Sequence, residues 1–233
     1  MSTRLSRRTF LGCACCGAAA MALPGSLAHA AGPKTTMTPD QALAALKEGN
    51  DKYVTDAPYR RVGDRDRRLE IARSQAPFAV LVSCSDSRVP PELLFGRGLG
   101  ELFIVRNAGN TVDTTALGSI QYAIAELGVP LVLVLGHERC GAVEAAVKVV
   151  KENATFPGAI GQMVEPIVPA VIRAQSQAGD LLDNSVRENV RRTVQRLRTS
   201  DTLLAEPLKA GKLKIVGARY DLDDGDVDFF DEG

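Results

Sequence analysis

Short runs of almost continuous apolar residues alternate along the chain with longer segments in which apolar residues recur every three or four positions. Four of these runs predict β-strands that are buried on both faces, because their Val, Ile and Leu content leaves almost no alternation with polar residues. The predicted strands span residues 78–83, 102–106, 131–135 and 214–220.

The segments between the predicted strands have the periodicity of helices. In one of them Asp113 can cap a helix, and Gly128 with Pro130 can end it. The apolar residues that would share one face of that helix are Leu117, Ile120, Ile124 and Leu127. Strands that alternate with helices predict the α/β class, with a mostly parallel central sheet flanked by helices.

Polar motifs directly follow three of the predicted strands. Residues 84–88 are Cys-Ser-Asp-Ser-Arg, residues 106–110 are Arg-Asn-Ala-Gly-Asn, and residues 136–141 are Gly-His-Glu-Arg-Cys-Gly. Because the carboxyl ends of parallel strands meet at one edge of a sheet, we expect these motifs to converge on a single crevice.

The first 30 residues have the composition of an export signal. The paired Arg7 and Arg8 close a basic region, small and apolar residues follow, and Ala28-x-Ala30 offers the small side chains that a signal peptidase accepts. The arginine pair resembles the twin-arginine signal, which is read by a dedicated export machinery. We therefore expect this signal to be cleaved and residues 31–233 to form one domain in the bacterial periplasm or outside the cell.

Charge and hydropathy argue against two classes of partner. The chain has 28 basic and 28 acidic residues, and loss of the signal would remove three arginines and no acid, which leaves 25 against 28. A nearly neutral surface gives no electrostatic reason to expect nucleic-acid binding. The apolar stretch 9–23 is shorter than the roughly 20 residues that span a bilayer, so no stable membrane span is expected. A membrane anchor and a lipidation site at 11–13 stay open as alternatives.

Cys84, His137 and Cys140 are the cysteines and the histidine that remain after removal of the first 30 residues. All three fall in the motifs at the predicted sheet edge. Two thiolates and an imidazole form a ligand set that zinc prefers. Cys140 would also lie at the first turn of a helix over residues 141–150, where the helix dipole favours a thiolate. The sequence therefore predicts a metal site in preference to buried apolar cysteines or a disulfide.

Taken together, these motifs resemble those of the β-class carbonic anhydrases. The likeness covers residues 84–92, 106–110 and 136–141, and it extends from a helix near 37–50 to a closing strand at 214–222. It implies reversible hydration of carbon dioxide to bicarbonate and a proton, by attack of a zinc-bound hydroxide, with one zinc per chain. The resemblance also implies a homodimer or a homotetramer.

The resemblance assigns roles to further residues around the metal. Asp86 would accept a hydrogen bond from zinc-bound water, and Arg88 would hold Asp86 away from the metal by a carboxylate–guanidinium pair on an extended segment. Gln75, Tyr122 and the backbone N–H of Gly141 would bind substrate. Tyr122 is also compatible with an ordinary place in the core of its helix.

In the closed, inactive state of the family, Asp86 would become the fourth zinc ligand. Members that close under bicarbonate control carry a tryptophan shortly before the first cysteine, whereas this chain contains no tryptophan and has Leu81 at the matching position. We therefore expect an enzyme that rests in the open form.

Three other functions stay open at the level of sequence. The first is a structural zinc site in which Asp86 is a permanent fourth ligand and the protein serves as a scaffold. The second is a thiol redox protein that uses Cys84 and Cys140, although no Cys-x-x-Cys pair supports it. The third is hydrolysis of carbon disulfide on the same framework.

Replacement of Arg7 and Arg8 by lysine tests the export signal. Twin-arginine export carries proteins that have already folded, so zinc bound in the cytoplasm would protect both cysteines from oxidation after export. We expect the Lys-Lys form to accumulate as precursor in the cytoplasm, as measured by cell fractionation and immunoblotting. Normal export of that form would show that the arginine pair is not read as this signal.

Overall fold

A five-stranded sheet forms the centre of the protein, which is described by a computed structural model over residues 34–57 and 63–232. The strand order is β2-β1-β3-β4-β5. The first four strands are parallel, and β5 pairs antiparallel with β4. The strands are β1 (Ala79–Cys84), β2 (Leu102–Asn107), β3 (Leu131–His137), β4 (Lys214–Tyr220) and β5 (Val227–Asp231).

The predicted α/β class is confirmed, and the main differences lie at the strand ends. Strands β1, β2 and β3 each continue one or two residues beyond their predicted ends. The backbone ladder reaches the pairs Cys84–Asn107 and His137–Tyr220, so the polar motifs begin inside the sheet. The candidate ligands Cys84 and His137 are thus held by strand hydrogen bonds rather than by a loop.

Helices cover both faces of the sheet. Within the described residues there are nine α-helices, joined in places by short 3₁₀ turns. They are α1 (Pro39–Val54), α2 (Arg65–Ile71), α3 (Pro91–Leu94), α4 (Thr114–Ala125), α5 (Gly141–Glu152), α6 (Ala159–Val164), α7 (Val168–Ala174), α8 (Leu181–Arg198) and α9 (Thr202–Lys209).

Alternate residues of the central strands pack into separate cores on the two faces. Val80 and Val132 join a core with apolar residues of α4, α8 and α9. Leu81 and Leu133 point to the other side and pack with residues of α1 and α3. Because successive side chains of a strand point to opposite faces, a strand buried on both sides must be apolar at nearly every position. This requirement explains the continuous apolar runs in the sequence.

The helix predicted between the second and third strands is present as α4. Its first turn is capped by the Asp113 carboxylate, which accepts a hydrogen bond of 2.7 Å from the Ala116 N–H. After the helix, Gly128 adopts a left-handed φ of +69°, which glycine tolerates without a steric penalty. The cap at Asp113 is confirmed, whereas the helix ends at Ala125, so Leu127 follows the helix instead of belonging to it.

Helix α8 lies against the carboxyl end of β3. A Cβ atom added to Gly136 would be 2.7 Å from Val190 Cγ2 and 3.0 Å from Val186 Cγ1, closer than packed side chains allow. Glycine at this position therefore lets α8 approach the backbone of β3 one residue before His137. The helix forms a support directly beneath the candidate site.

The predicted export signal lies outside the described residues. In the part of the chain that the structure covers, no helix combines the length and the hydropathy that crossing a membrane requires.

Two glycine-to-alanine substitutions in helices test the packing of α1. A Cβ at Gly49 would lie 2.0 Å from the Phe95 carbonyl oxygen, so Gly49→Ala should reduce the free energy of unfolding by about 1–3 kcal/mol. Gly118 in α4 is the control, because nothing lies within 4 Å of its added Cβ. Gly118→Ala should stabilise the protein by about 0.5–1 kcal/mol through helix propensity. Urea unfolding measures both; equal effects would contradict the close contact.

Candidate metal centre

Cys84, His137 and Cys140 meet at the carboxyl edge of the sheet. Cys84 ends β1, His137 ends the neighbouring strand β3, and Cys140 immediately precedes α5. One ligand atom from each residue lies within 4.8 Å of the others, and the two sulfur atoms are 4.0 Å apart. All three residues are buried. The convergence expected from the sequence therefore brings together the three residues that were predicted to bind a metal.

The imidazole of His137 has a free nitrogen directed into this group. Its Nδ1 lies 2.8 Å from the Glu138 carbonyl oxygen, and because a carbonyl can only accept, Nδ1 carries the proton. This leaves a lone pair on Nε2, which is buried without a hydrogen-bond partner among the described residues. A buried polar atom without a partner is costly, and a metal ion would satisfy it. In histidines that bind a metal through one ring nitrogen, the other ring nitrogen usually donates a hydrogen bond to a carbonyl or a carboxylate, as Nδ1 does here.

The two thiols form a hydrogen-bonded pair, with their sulfur atoms 4.0 Å apart. The Cys140 thiol, and then His137 and the Gly109 and Asp86 N–H groups, hold the pKa of Cys84 well below its usual range against the opposing effect of burial. The same hydrogen bond, together with burial and the nearby negative charge, raises the pKa of Cys140. Both are free thiols, and their 4.0 Å separation is about twice the ~2.05 Å of a disulfide bond. A cation bound between the sulfur atoms would displace thiol protons, because cysteine binds a metal as the thiolate.

Backbone N–H groups support negative charge on both sulfur atoms. The Gly109 N–H lies 3.3 Å from Cys84 Sγ. Cys140 is the N-cap residue of α5; its sulfur makes no capping hydrogen bond, but the nearby Val143 and Ala142 N–H groups act to lower its pKa, against the larger effects that raise it. These groups belong to the positive end of a 12-residue helix. The fold thus supplies fixed dipoles that favour thiolates.

Arg106 fixes the segment that carries Cys84. Its Nε donates to the Cys84 carbonyl at 2.8 Å, and its Nη2 donates to the Asp86 carbonyl at 2.7 Å. The sequence indicated the motif around Arg106 but gave this side chain no role. Its function is visible only in the structure, because it depends on the pairing of β2 with β1.

Asp86 and Arg88 form a two-pronged ion pair beside the centre. Arg88 Nε and Nη2 donate to the two carboxylate oxygens of Asp86 at 2.9 and 2.8 Å, and this contact holds the pKa of Asp86 well below its usual range. Asp86 Oδ2 lies 3.9 Å from His137 Nε2. The expected ion pair is present, but the backbone that joins Asp86 to Arg88 is not extended as predicted. The Arg88 N–H also donates to Asp86 Oδ1 at 3.0 Å, which makes a tight turn.

The three residues expected to bind substrate lie in different surroundings. Gly141 begins α5 next to Cys140 and has open space where a side chain would project. Gln75 is exposed in the segment that precedes β1. Tyr122 is 44% exposed on α4, with its ring centroid 6.5 Å from that of Phe103. Within the described residues, no hydrogen bond joins Gln75 or Tyr122 to the cysteine and histidine group.

Residues 79–227, which contain the whole group, match the family model described as carbonic anhydrase. The chain belongs to the carbonic anhydrase family. It is 40% identical over 187 residues to carbonic anhydrase 2 of Mycobacterium tuberculosis, covering 80% of this chain and 90% of the relative. It is 39% identical over 190 residues to the carbonic anhydrase of Mycolicibacterium smegmatis, covering 82% of this chain and 92% of the relative.

Solved structures place the chain in the β class of the family. A Coccomyxa β-carbonic anhydrase in complex with acetazolamide is similar with a TM-score of 0.63 and 25% identity, over 81% of this chain and 84% of that one. A β-carbonic anhydrase of Aspergillus fumigatus gives a TM-score of 0.61 and 25% identity, over 82% and 90% of the two chains.

The two residues between His137 and Cys140 contact the hairpin that β4 and β5 form in this carbonic anhydrase. Arg139 has a left-handed φ of +49° and pairs with both carboxylate oxygens of Asp223 at 2.9 and 2.7 Å. Glu138 forms a longer ion pair with Arg219, in which Glu138 Oε1 and Arg219 Nη2 are 3.7 Å apart. The strained backbone at Arg139 is therefore held by contacts with a segment more than 80 residues further along the chain.

Neighbouring substitutions in β1 test the metal site. Cys84→Ser should abolish stoichiometric zinc binding, because a neutral hydroxyl is a poor zinc ligand whereas a thiolate is a preferred one. Ser83→Ala is the matched control: the Ser83 hydroxyl is fully buried without a partner among the described residues, so its removal should be neutral or stabilising. Elemental analysis after dialysis gives zinc per chain. Full zinc content in the Cys84→Ser protein would exclude Cys84 as a ligand.

Proposed function

We propose that this protein is a zinc-dependent carbonic anhydrase in which Cys84, His137 and Cys140 hold one metal ion per chain. The observation that carries the proposal is the buried group of two sulfur atoms and one free imidazole nitrogen, in a chain of this family. The reaction is the reversible hydration of carbon dioxide to bicarbonate and a proton.

The three residues match what zinc requires from a protein. Sulfur and nitrogen donors on three sides leave a fourth position for a small molecule, which is the arrangement of catalytic rather than structural zinc sites. When bound, zinc supplies a Lewis acid that generates a nucleophile from water near neutral pH. The chain's own contribution is to hold the donors in place and to control what surrounds the open position.

Asp86 is suited to accept a hydrogen bond at that position. Its carboxylate stays ionised because Arg88 holds its pKa low, so it can accept but not donate. Arg88 occupies both carboxylate oxygens from the side, which favours an orientation in which Asp86 remains off the metal. Asp86 therefore orients a water proton at Oδ2, and Arg88 positions Asp86. This arrangement supports an enzyme that rests in the open form.

Gly141, Gln75 and Tyr122 remain our candidates for substrate contacts. The Gly141 N–H lies at the beginning of α5, where the helix dipole favours an anion such as bicarbonate.

Leu81, which stands where regulated members have tryptophan, is fully buried in β1. The absence of an aromatic residue at this position supports activity without strong inhibition by bicarbonate.

We also propose that residues 31–233 act outside the cytoplasm, after export by the twin-arginine machinery, as a homodimer or a homotetramer. The arginine pair in the sequence supports export. The resemblance to β-class carbonic anhydrases supports the assembly.

Stopped-flow hydration of carbon dioxide by the purified protein, with zinc measured on the same sample, tests the function and the role of Arg88. The unmodified protein should be active, should lose activity when zinc is removed by a chelator, and should regain it with zinc. Arg88→Ala should lose roughly ten- to a hundredfold in activity while zinc remains bound, because Asp86 then loses the partner that orients it.

Arg88→Lys provides the matched control for charge. Lysine keeps the positive charge but cannot form the two-pronged contact, so its activity should lie between those of the unmodified and alanine forms. A zinc-loaded protein without hydration activity would favour the structural zinc site. Full activity of Arg88→Ala would show that Asp86 needs no such partner.

A further inference from the structure

Helix α8 donates one buried hydrogen bond to the turn beneath the metal centre. Asn189 is 3% exposed, and its Nδ2 lies 2.8 Å from the Gly109 carbonyl oxygen, 80 residues away in the sequence. Among the side chains of the described residues, Asn189 is the one that donates a hydrogen bond to this carbonyl.

The turn that accepts this hydrogen bond requires two consecutive residues with left-handed backbone angles. Gly109 and Asn110 are both buried and have consecutive left-handed φ angles of +76° and +44°. A Cβ at Gly109 would be 2.6 Å from Ile167 Cδ1 and 3.1 Å from Ala142 Cβ. Glycine is required there, but glycine does not restrict its own dihedral angles, so contacts from outside must hold the turn.

The same glycine contacts the metal centre through its other polar group. The Gly109 N–H lies 3.3 Å from Cys84 Sγ, while its carbonyl faces Asn189. The position of this N–H therefore depends on dihedral angles that the Asn189 hydrogen bond helps to fix. A continuous set of contacts leads from α8 through Gly109 to the sulfur of Cys84.

We propose that Asn189 is a positioning residue of the metal centre, which aims the Gly109 N–H at Cys84 and so tunes this thiolate as a ligand. The inference rests on the proposed zinc site. Without the Asn189 amide, the buried Gly109 carbonyl would lack its side-chain donor, and the turn could rotate toward another partner. Residues that orient or hydrogen-bond metal ligands commonly change metal affinity by about ten- to a hundredfold when removed.

Other contacts of α8 separate this role from general support of the fold. Val186 and Val190 lie close to Gly136, and a substitution at Asn189 does not alter either side chain. Ser185, also buried on α8, donates to the Leu181 carbonyl within its own helix at 2.6 Å. Ser185→Ala therefore removes a buried polar group from the same helix without touching the turn, which makes it a matched control.

Zinc affinity of the full chain, measured by competition with a coloured chelator, provides the first test. Asn189→Ala and Asn189→Asp should both weaken zinc binding by about tenfold or more, since both lose the amide donor and Asp keeps the side-chain shape. Ser185→Ala should bind zinc as tightly as the unmodified protein. If Asn189→Ala folds poorly, the Asp form still provides the comparison.

Cobalt substitution gives a readout that a purely structural role would not move. A hydrogen bond to a thiolate lowers its donor strength, so loss of the Gly109 contact should shift the sulfur-to-cobalt charge-transfer band to longer wavelength. We expect this shift in both Asn189 variants and not in Ser185→Ala.

The possible outcomes separate this inference from the proposed function. Unchanged zinc affinity and an unchanged cobalt band in folded Asn189 variants would overturn the role of Asn189 and leave the zinc enzyme intact. Lower thermal stability with unchanged affinity would assign Asn189 to the fold alone, which also overturns the inference. Failure of the unmodified protein to bind zinc would instead overturn the proposed function.

Discussion

Two buried thiols lie beside a buried imidazole nitrogen that has no hydrogen-bond partner among the described residues. This nitrogen is His137 Nε2, and the two sulfur atoms lie 4.0 Å apart, where a cation can bind between them. Such a group is unfavourable in an apolar interior unless something binds it. The strand ends, the first turn of α5 and the Gly109 turn are all arranged around this requirement, so the metal centre is part of the packing of the fold.

The interactions that hold the metal centre differ greatly in how much they contribute to its stability. The Arg139–Asp223 pair is largely exposed, so water and salt screen it and it contributes little to stability. Buried hydrogen bonds such as that from Asn189 matter more, because their loss leaves an unsatisfied carbonyl in the interior. Arg219, with a side chain only 12% exposed, lies between these extremes. The inner supports therefore set the position of the ligands, and the outer ion pairs refine the loop between them.

The sequence predicted what is local and missed what depends on distant contacts. The strands, the α4 cap at Asp113 and the convergence of the motifs follow from apolar periodicity and from the geometry of parallel sheets. The turn at Asp86 was predicted as extended, because spacing alone does not show that its carboxylate accepts the Arg88 N–H. Asn189 carries no sequence signal at all: it is an ordinary polar residue in a helix until the fold brings it to Gly109.

The strand order explains why the centre lies where it does. From β1 the chain moves to β2 on one side, whereas β3 lies on the other side of β1 and leads on to β4. The order therefore reverses between β1 and β3, the two strands that end in Cys84 and His137. Connections that leave in opposite directions open a crevice at this point, which is where α/β sheets bind their ligands. A substrate as small as carbon dioxide needs no wider opening, so the ligands can stay buried while Arg88, half exposed, faces solvent.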